Sequence, residues 1–135
     1  MVSFTRRSVL AGAATMLAAP VAVAQDTWPS RDVRLIVPFP PGGTTDVVAR
    51  LVAGALRNQI GRQVVVENQP GAGSTLSAGR FAREGDDHAL FLSQIASHAI
   101  GPALYPNLPY NPTTDFRAVT LLVTVPNVWV ANRQK

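Results

Sequence analysis

Hydrophobic positions along this chain follow two different periods. Three short apolar runs are continuous enough to predict strands covered on both faces, and they span Val33–Val37, Val64–Val66 and Ala89–Leu92. Between these runs, apolar residues recur at the three- and four-residue spacing of helices, from about Asp46 to Asn58 and from Ser74 to Arg83. Strands that alternate with helices of this length predict an α/β fold, a parallel sheet with flanking helices.

The first predicted helix carries its apolar side chains on one stripe, which we expect to face the core. Thr44 or Thr45 can cap its start, and Asp46 adds a negative charge to its first turn. Gly61 is expected to end it. The residues of the stripe are Val47, Val48, Leu51, Val52, Ala55 and Leu56.

Beyond Ser97 the pattern is less regular. A short helix is predicted over Ala99–Tyr105, and the apolar, β-rich segments Ala118–Val125 and Val128–Ala131 predict strands. A last apolar strand with no helix to cover it leaves an unpaired edge, which folded proteins avoid. We therefore expect either that a second copy covers this edge or that the sequence is the front part of a longer protein.

Two glycine-bearing turns carry the candidate chemistry. The segments Gly42–Asp46 and Gly71–Thr75 each follow a predicted strand and open a predicted helix. The free N–H groups of a first helical turn, together with the positive end of the peptide dipoles, favour a carboxylate or a phosphate. Because the carboxyl ends of parallel strands share one edge of the sheet, we expect the two turns to form one anion site.

A dinucleotide site is the rival hypothesis for the second turn. Gly71 and Gly73 match part of the glycine pattern of such sites, but Leu76 occupies the position of the third glycine. The only lysine of the chain is Lys135, so no lysine is available for a phosphate loop. The sequence therefore favours amides that face a carboxylate, and we expect no cofactor.

Polar side chains also follow the third predicted strand, at Ser93, Gln94, Ser97 and His98. A serine beside a histidine suggests a small serine hydrolase, but the chain has no Gly-x-Ser-x-Gly elbow, and sequence neighbours rarely face each other. We expect His98 to be a hydrogen-bonding group and the chain to have no catalytic residue. His88 is expected to face solvent, and two histidines without clustered carboxylates predict no metal site.

The first 24 residues are not expected to belong to the fold. A basic start with Arg6 and Arg7 precedes the apolar run Val9–Val23, and a small-residue pattern ends at Ala24. The run is shorter than the roughly 20 residues of a membrane anchor. We therefore expect an exported, periplasmic protein whose signal is cleaved near Ala24, and the arginine pair also resembles a twin-arginine signal.

Composition narrows the partners of the remaining chain. Removal of the first 24 of 135 residues leaves 111, enough for about one small domain. Ten basic residues then remain against eight acidic ones, and this scattered, nearly balanced charge is not a nucleic-acid footprint. The absence of cysteine excludes disulfides, cysteine-type zinc sites and a lipid-modified cysteine. We therefore expect no membrane anchor after cleavage.

Several stretches of the chain resemble a single protein family. Trp28–Asp46 resembles the opening strand and loop of the Bug proteins, the periplasmic solute receptors of tripartite tricarboxylate transporters. Val64–Gly73 resembles the second loop of that family, and His98–Tyr105, followed by Leu108–Pro112 and Asp115–Phe116, resembles its next stretch. Val123–Val128 is similar to the segment in which the family's chain crosses into its second domain.

The resemblance implies the partial first domain of a type II periplasmic-binding-protein-like fold, in which two α/β domains close over a small carboxylate. Residues 25–125 would form the first part of domain 1, and residues 126–135 would start a crossing strand toward a missing second domain. The turn Gly85–His88 departs from the family's pattern.

The function implied by the resemblance is a receptor, here a fragment, that captures a small carboxylate for a membrane transporter. The alternative is a nonfunctional truncated fragment from a frameshift or an incomplete gene model. The ligand-binding residues that the turns and the resemblance indicate are Phe39, Gly42, Gly43, Thr44, Thr45, Asp46, Gly71, Ala72, Gly73, Ser74, Ser93, Gln94, Ser97 and His98.

Overall fold

The structure is a computed structural model that describes residues 27–126 and 128–133. The chain divides into two compact units, residues 1–30 and 31–135. The predicted signal segment, residues 1–24, lies outside the described residues. The few described residues of the first unit form neither helix nor strand.

The second unit alternates strands and helices, as the hydrophobic pattern predicts. Its central strand β1 pairs in parallel with a strand on each side, and the order across the sheet is β2-β1-β3. This parallel sheet with flanking helices confirms the predicted fold class. The elements are β1 Val33–Val37, α1 Thr44–Ile60, β2 Val64–Asn68, a 3₁₀ turn Ala72–Ser74, α2 Thr75–Glu84, β3 Ala89–Phe91, a π-helical turn Ala96–Ile100 and α3 Gly101–Leu104.

Helix α1 covers one face of the sheet, but with only part of the predicted stripe, since Val48, Val52 and Leu56 are half-buried. Leu35 and Val37 of β1 form the core with Ala49 and Ala53 of α1, whereas Leu51 is 70% exposed. Val47 and Ala55 are exposed as well. The face that α1 turns inward begins at Asp46, whose carboxylate is drawn into the fold by hydrogen bonds, and the small alanines three and seven residues later let the helix lie close to the sheet.

The other face of the sheet holds an ion-pair cluster. The Arg34 guanidinium donates to both carboxylate oxygens of Glu67, at 2.8 and 2.9 Å, and also contacts Glu84 of α2 and Asp86. Because Arg34 lies on the central strand, it joins β1 to β2, to α2 and to the turn before β3. The second face of β1 therefore carries a charged residue, where the sequence pattern predicts a strand with two apolar faces.

The ends of the elements match the predicted ends or differ from them by at most three residues. The N-cap of α1 is Gly43, and neither Thr44 nor Thr45 caps the helix, because the helix already begins at Thr44. Gly61 ends α1 in the left-handed conformation, as predicted. Strand β2 runs to Asn68, two residues further than predicted, and the short helix after Ser97 is replaced by the π-helical turn and α3.

The predicted strands over residues 118–125 and 128–131 are wrong for this structure. The described part of the chain beyond Arg117 contains no strand, and Leu121 and Trp129 are 81% and 99% exposed. A strand forms only where another strand takes up its N–H and C=O groups, and in this segment apolar propensity has no such partner. None of the helices in the described ranges has the length and apolarity of a membrane span.

Candidate functional site

Three loops meet at the carboxyl edge of the sheet. They are the first loop, residues 38–43 after β1, the second loop, residues 69–74 after β2, and the third loop, residues 92–95 after β3. Asn68 Nδ2 donates to the Phe39 carbonyl at 3.0 Å and ties the first loop to the end of β2. The sequence predicts this convergence from the parallel order of the strands.

A further bond ties the third loop to the start of α1. The Gln94 side-chain amide donates to the Thr45 hydroxyl at 2.5 Å. Since Thr45 lies in the first turn of α1, the third loop and the first loop are direct neighbours. The predicted polar residues of the three loops therefore belong to one region of the surface.

Asp46 is the internal anchor of the first loop. Its carboxylate is only 3% exposed and accepts hydrogen bonds from the Gly42 N–H, the Arg50 guanidinium and the Asn68 amide, each at 2.9 Å. The Arg50 guanidinium, then the Gly42 N–H and the Asn68 amide, hold the pKa of Asp46 well below its ordinary value. The carboxylate is thus committed to bonds within the fold, and its chemistry is to shape the loop.

The N-terminus of α1 offers amides beyond those that Asp46 uses. The first helical amide with an acceptor is that of Val47, which donates to the Gly43 carbonyl at 3.0 Å. For the N–H groups of Gly43, Thr44 and Thr45, the described residues provide no acceptor. These amides point out of the start of a 17-residue helix, where the peptide dipoles favour negative charge.

The second loop has an unusual backbone. Ala72, Gly73 and Ser74 have φ values of 44°, 60° and 73°, in the left-handed region that residues with a Cβ rarely adopt. Two side-chain bonds hold this shape, one from Thr75 Oγ1 to the Ala72 carbonyl at 2.7 Å and one from Ser77 Oγ to the Gln69 carbonyl. Strained backbone that is held by such bonds is typical of binding loops.

Ser74 lies at the centre of this loop and is 1% exposed. Its hydroxyl has no hydrogen-bond partner among the residues that the structure describes. A buried hydroxyl without a partner is costly and rare in native proteins. The neighbouring N–H groups of Gly71, Ala72 and Gly73 likewise find no acceptor in the described chain. The second loop therefore presents a buried donor and three amides in one place.

The π-helical turn after the third loop contains a serine–histidine contact that the sequence analysis did not expect. Ser97 Oγ lies 2.9 Å from His98 Nδ1 within the π-helical turn, although the two are sequence neighbours. Ser93 Oγ lies 2.9 Å from the same nitrogen. Tyr110, which the sequence analysis missed, donates from its hydroxyl to the Ser97 carbonyl at 2.7 Å. Tyr110 lies 13 residues from Ser97 in the sequence, so no local pattern indicates this contact.

The environment of His98 is apolar. Phe91, Phe116 and Tyr110 surround the imidazole, with the Phe116 ring closest at 4.6 Å between centroids. Burial lowers the pKa of His98, so the ring is neutral at neutral pH. Within the described residues no carboxylate bonds to this ring, so the group that orients the histidine of a hydrolytic triad is missing.

The turn before β3 requires two corrections. His88 is 5% exposed and does not face solvent, and its Nδ1 lies 2.6 Å from the Asp87 carboxylate. Asp86 folds the turn by accepting the His88 N–H. Carboxylates therefore do cluster with this histidine, but Arg31 and Arg34 also contact Asp86, at 2.5 and 3.4 Å, and supply its positive partners.

Comparison with known sequences decides the family. The sequence profile of the tripartite tricarboxylate transporter family receptor matches residues 48–135. The chain belongs to this family. Protein BugT of Bordetella pertussis is 42% identical to it over 118 residues, which cover 86% of this chain and 36% of BugT. A protein encoded in the tcbD–tcbE intergenic region of a Pseudomonas species is 37% identical over 127 residues, covering 93% of this chain and 38% of that protein.

Solved structures of receptor proteins share the fold. MatC from Rhodopseudomonas palustris, solved with bound malate, is 42% identical with a TM-score of 0.66 and covers 70% of this chain and 33% of that one. The periplasmic binding protein BugD is 41% identical with a TM-score of 0.62, covering 66% and 30%. An R. palustris protein solved with adipate is 35% identical with a TM-score of 0.61, covering 64% and 29%.

These comparisons confirm the resemblance to the Bug family and the α/β fold of a periplasmic binding protein. The chain spans about a third of the length of the relatives that it matches. Family members are periplasmic receptors. The domain boundaries and the individual ligand-binding residues stay predictions.

Proposed function

We propose that this chain forms the carboxylate-binding part of a periplasmic solute receptor and that it captures a small carboxylate for a tripartite transporter. The observation that carries the proposal is the Ser74 hydroxyl, which is buried and has no partner among the described residues. A carboxylate oxygen placed at this hydroxyl would satisfy it and would also lie beside the open amides of the second loop. The family supports the same class of ligand, since its solved members carry malate and adipate.

Binding in this proposal relies on dipoles and hydrogen bonds. The amides at the start of α1 and in the second loop each donate to the anion, and hydrogen bonds to a charged group contribute about 1.5–3 kcal/mol each. About three to five of them would supply the roughly 8 kcal/mol that corresponds to micromolar affinity. Phe39, Thr44, Thr45 and Gln94 form the surrounding wall, and Asp46 positions the first loop.

Among the described residues we assign no unpaired cation to the proposed site. The guanidinium of Arg50 lies 2.9 Å from the Asp46 carboxylate, which matches its charge. Binding should therefore depend only weakly on ionic strength, because the attraction comes from fixed dipoles and short hydrogen bonds. This set of groups supplies no general base, and we propose a receptor without enzymatic activity.

The proposal is tested by titrating malate, adipate and the uncharged amide of malate into the purified chain by calorimetry. We expect malate or adipate to bind, the uncharged amide not to bind, and Ser74→Ala to weaken binding by roughly tenfold or more. Thr113→Ala is the control, since Thr113 is exposed and lies outside the three loops. It should leave both stability and affinity unchanged.

Two outcomes would overturn the proposal. Equal affinity for malate and its uncharged amide would show that charge is not recognised. A lack of any response to small carboxylates, in the chain alone and in the chain joined to the second domain of a relative, would support the alternative of a nonfunctional fragment. Export is tested separately by the N-terminal sequence of the mature protein, which we propose begins near Gln25.

A further inference from the structure

His98 shares one ring nitrogen between two serine hydroxyls. Its Nδ1 lies 2.9 Å from Ser93 Oγ and 2.9 Å from Ser97 Oγ. A neutral imidazole carries a single hydrogen, on Nδ1 or on Nε2, and the nitrogen that carries it is a donor while the other is an acceptor. The direction of both serine bonds therefore depends on which nitrogen of His98 is protonated.

The Ser97 hydroxyl has a second acceptor within reach. Ser97 Oγ lies 3.2 Å from the Gln94 carbonyl, and a hydroxyl has one hydrogen to donate. When that hydrogen goes to the Gln94 carbonyl, Ser97 accepts the bond from His98, and Nδ1 of His98 carries the hydrogen.

The opposite nitrogen, Nε2, does not decide the assignment. The imidazole packs against the rings of Phe91, Phe116 and Tyr110, and Nε2 makes no hydrogen bond to the residues described. Because His98 is half-buried, the assignment rests on the contacts of Nδ1. The only other titratable group of this ring cluster is Tyr110, whose pKa is raised by burial, so it stays neutral.

The tautomer of His98 determines which hydrogen bonds Ser93 can make. With the hydrogen on Nδ1, Ser93 Oγ is also an acceptor of this shared N–H, and the hydrogen of Ser93 itself is directed elsewhere. Ser93 is exposed in the third loop, next to Gln94, whose side chain bonds to Thr45 at the start of α1. The free hydrogen of Ser93 is therefore available at the edge where the open amides lie.

We propose that His98 is a positioning residue that fixes the Ser93 hydroxyl as a hydrogen-bond donor to the ligand carboxylate. The inference rests on the proposed function for the identity of the ligand. It also explains why the serine–histidine contact is not a catalytic dyad, since a nitrogen that already carries a hydrogen cannot take the proton of either serine. The same geometry that resembles a hydrolase thus serves recognition.

The protonated nitrogen is measured without any ligand. In ¹⁵N-histidine-labelled protein at neutral pH, NMR shifts distinguish Nδ1–H from Nε2–H, and a His88→Asn variant separates the signals of the two histidines of the chain. We expect Nδ1–H for His98, and we expect Ser97→Ala to shift the population toward Nε2–H. A wild-type His98 with hydrogen on Nε2 would overturn the inference whatever the protein binds.

The role of Ser93 is measured with malate as the probe. We expect Ser93→Ala to weaken malate binding about tenfold, Ser93→Thr to restore it, and His98→Phe, which keeps the ring packing, to weaken it by a smaller factor. Unchanged malate affinity in Ser93→Ala, with affinity lost in Ser74→Ala, would overturn the inference and leave the proposed function intact. Absence of malate binding in the wild type would overturn the proposed function and the role of Ser93 together, while the NMR result would still decide the tautomer of His98.

Discussion

Asn68 connects the first loop to the end of β2, and its removal is the sharpest test of how the site is assembled. Its Nδ2 donates to the Phe39 carbonyl at 3.0 Å and to the Asp46 carboxylate at 2.9 Å. In Asn68→Ala both bonds are lost. A hydrogen bond contributes about 1 kcal/mol to stability, so we expect the free energy of unfolding to fall by about 2 kcal/mol, which is about a thirtyfold change in the unfolding equilibrium.

The assay is urea denaturation followed by circular dichroism, with Asn58→Ala as the control. Asn58 is exposed on α1, and its replacement by alanine should leave stability unchanged or slightly raised because alanine is the better helix former. Asn68→Asp keeps the size of the side chain but places a second carboxylate beside Asp46. It should be less stable than Asn68→Ala at neutral pH and should recover as the pH is lowered.

The result that would refute this reasoning is equal stability of Asn68→Ala and Asn58→Ala. It would mean that the two loops hold their positions without the bonds of Asn68. A loss of stability that is the same at all pH values in Asn68→Asp would contradict the electrostatic part of the argument. In the intact receptor the loosened first loop should also weaken malate binding.

Three further predictions concern packing, pH and association. Gly79→Ala should lower the free energy of unfolding by about 1–2 kcal/mol, because the added Cβ would lie 2.7 Å from the Pro109 ring. Gly54→Ala, in an open position of α1, should raise it by about 0.5–1 kcal/mol. Equal urea midpoints for the two variants would contradict this prediction. Arg34 lowers the pKa of Glu67 below its ordinary 4.5, so stability should fall as the pH drops below about 4.5, and acid titration of Arg34→Gln should show a smaller fall. The described apolar residues around Leu121 are exposed and should cause self-association, which Leu121→Glu should reduce in gel filtration. A wild-type chain that elutes as a monomer would contradict this prediction.

The candidate site shows how far local patterns reach. Gly42, Gly71 and Gly73 identify the loops because a turn between a strand and a helix is set by residues adjacent in sequence. No local pattern predicts that the Ser74 hydroxyl is buried without a described partner, since its burial depends on how the second loop packs against elements distant in the chain. The same holds for the contact of Ser97 with His98, which lies in a π-helical turn over Ala96–Ile100, whereas the sequence pattern predicts a short helix that begins only at Ala99.

The sequence by itself determined the order of strands and helices, the parallel sheet and the edge at which the loops meet. These features follow from the hydrophobic period and the turn residues, which act over a few neighbouring positions, and from the alternation of strands with helices along the chain. Only the tertiary structure decided that α1 buries Ala49 and Ala53, that Asp46 is tied to Asn68, and that the apolar residues beyond Arg117 form no strand. Each of these depends on whether a partner from a distant part of the chain is present, and burial and hydrogen bonding are decided by that partner.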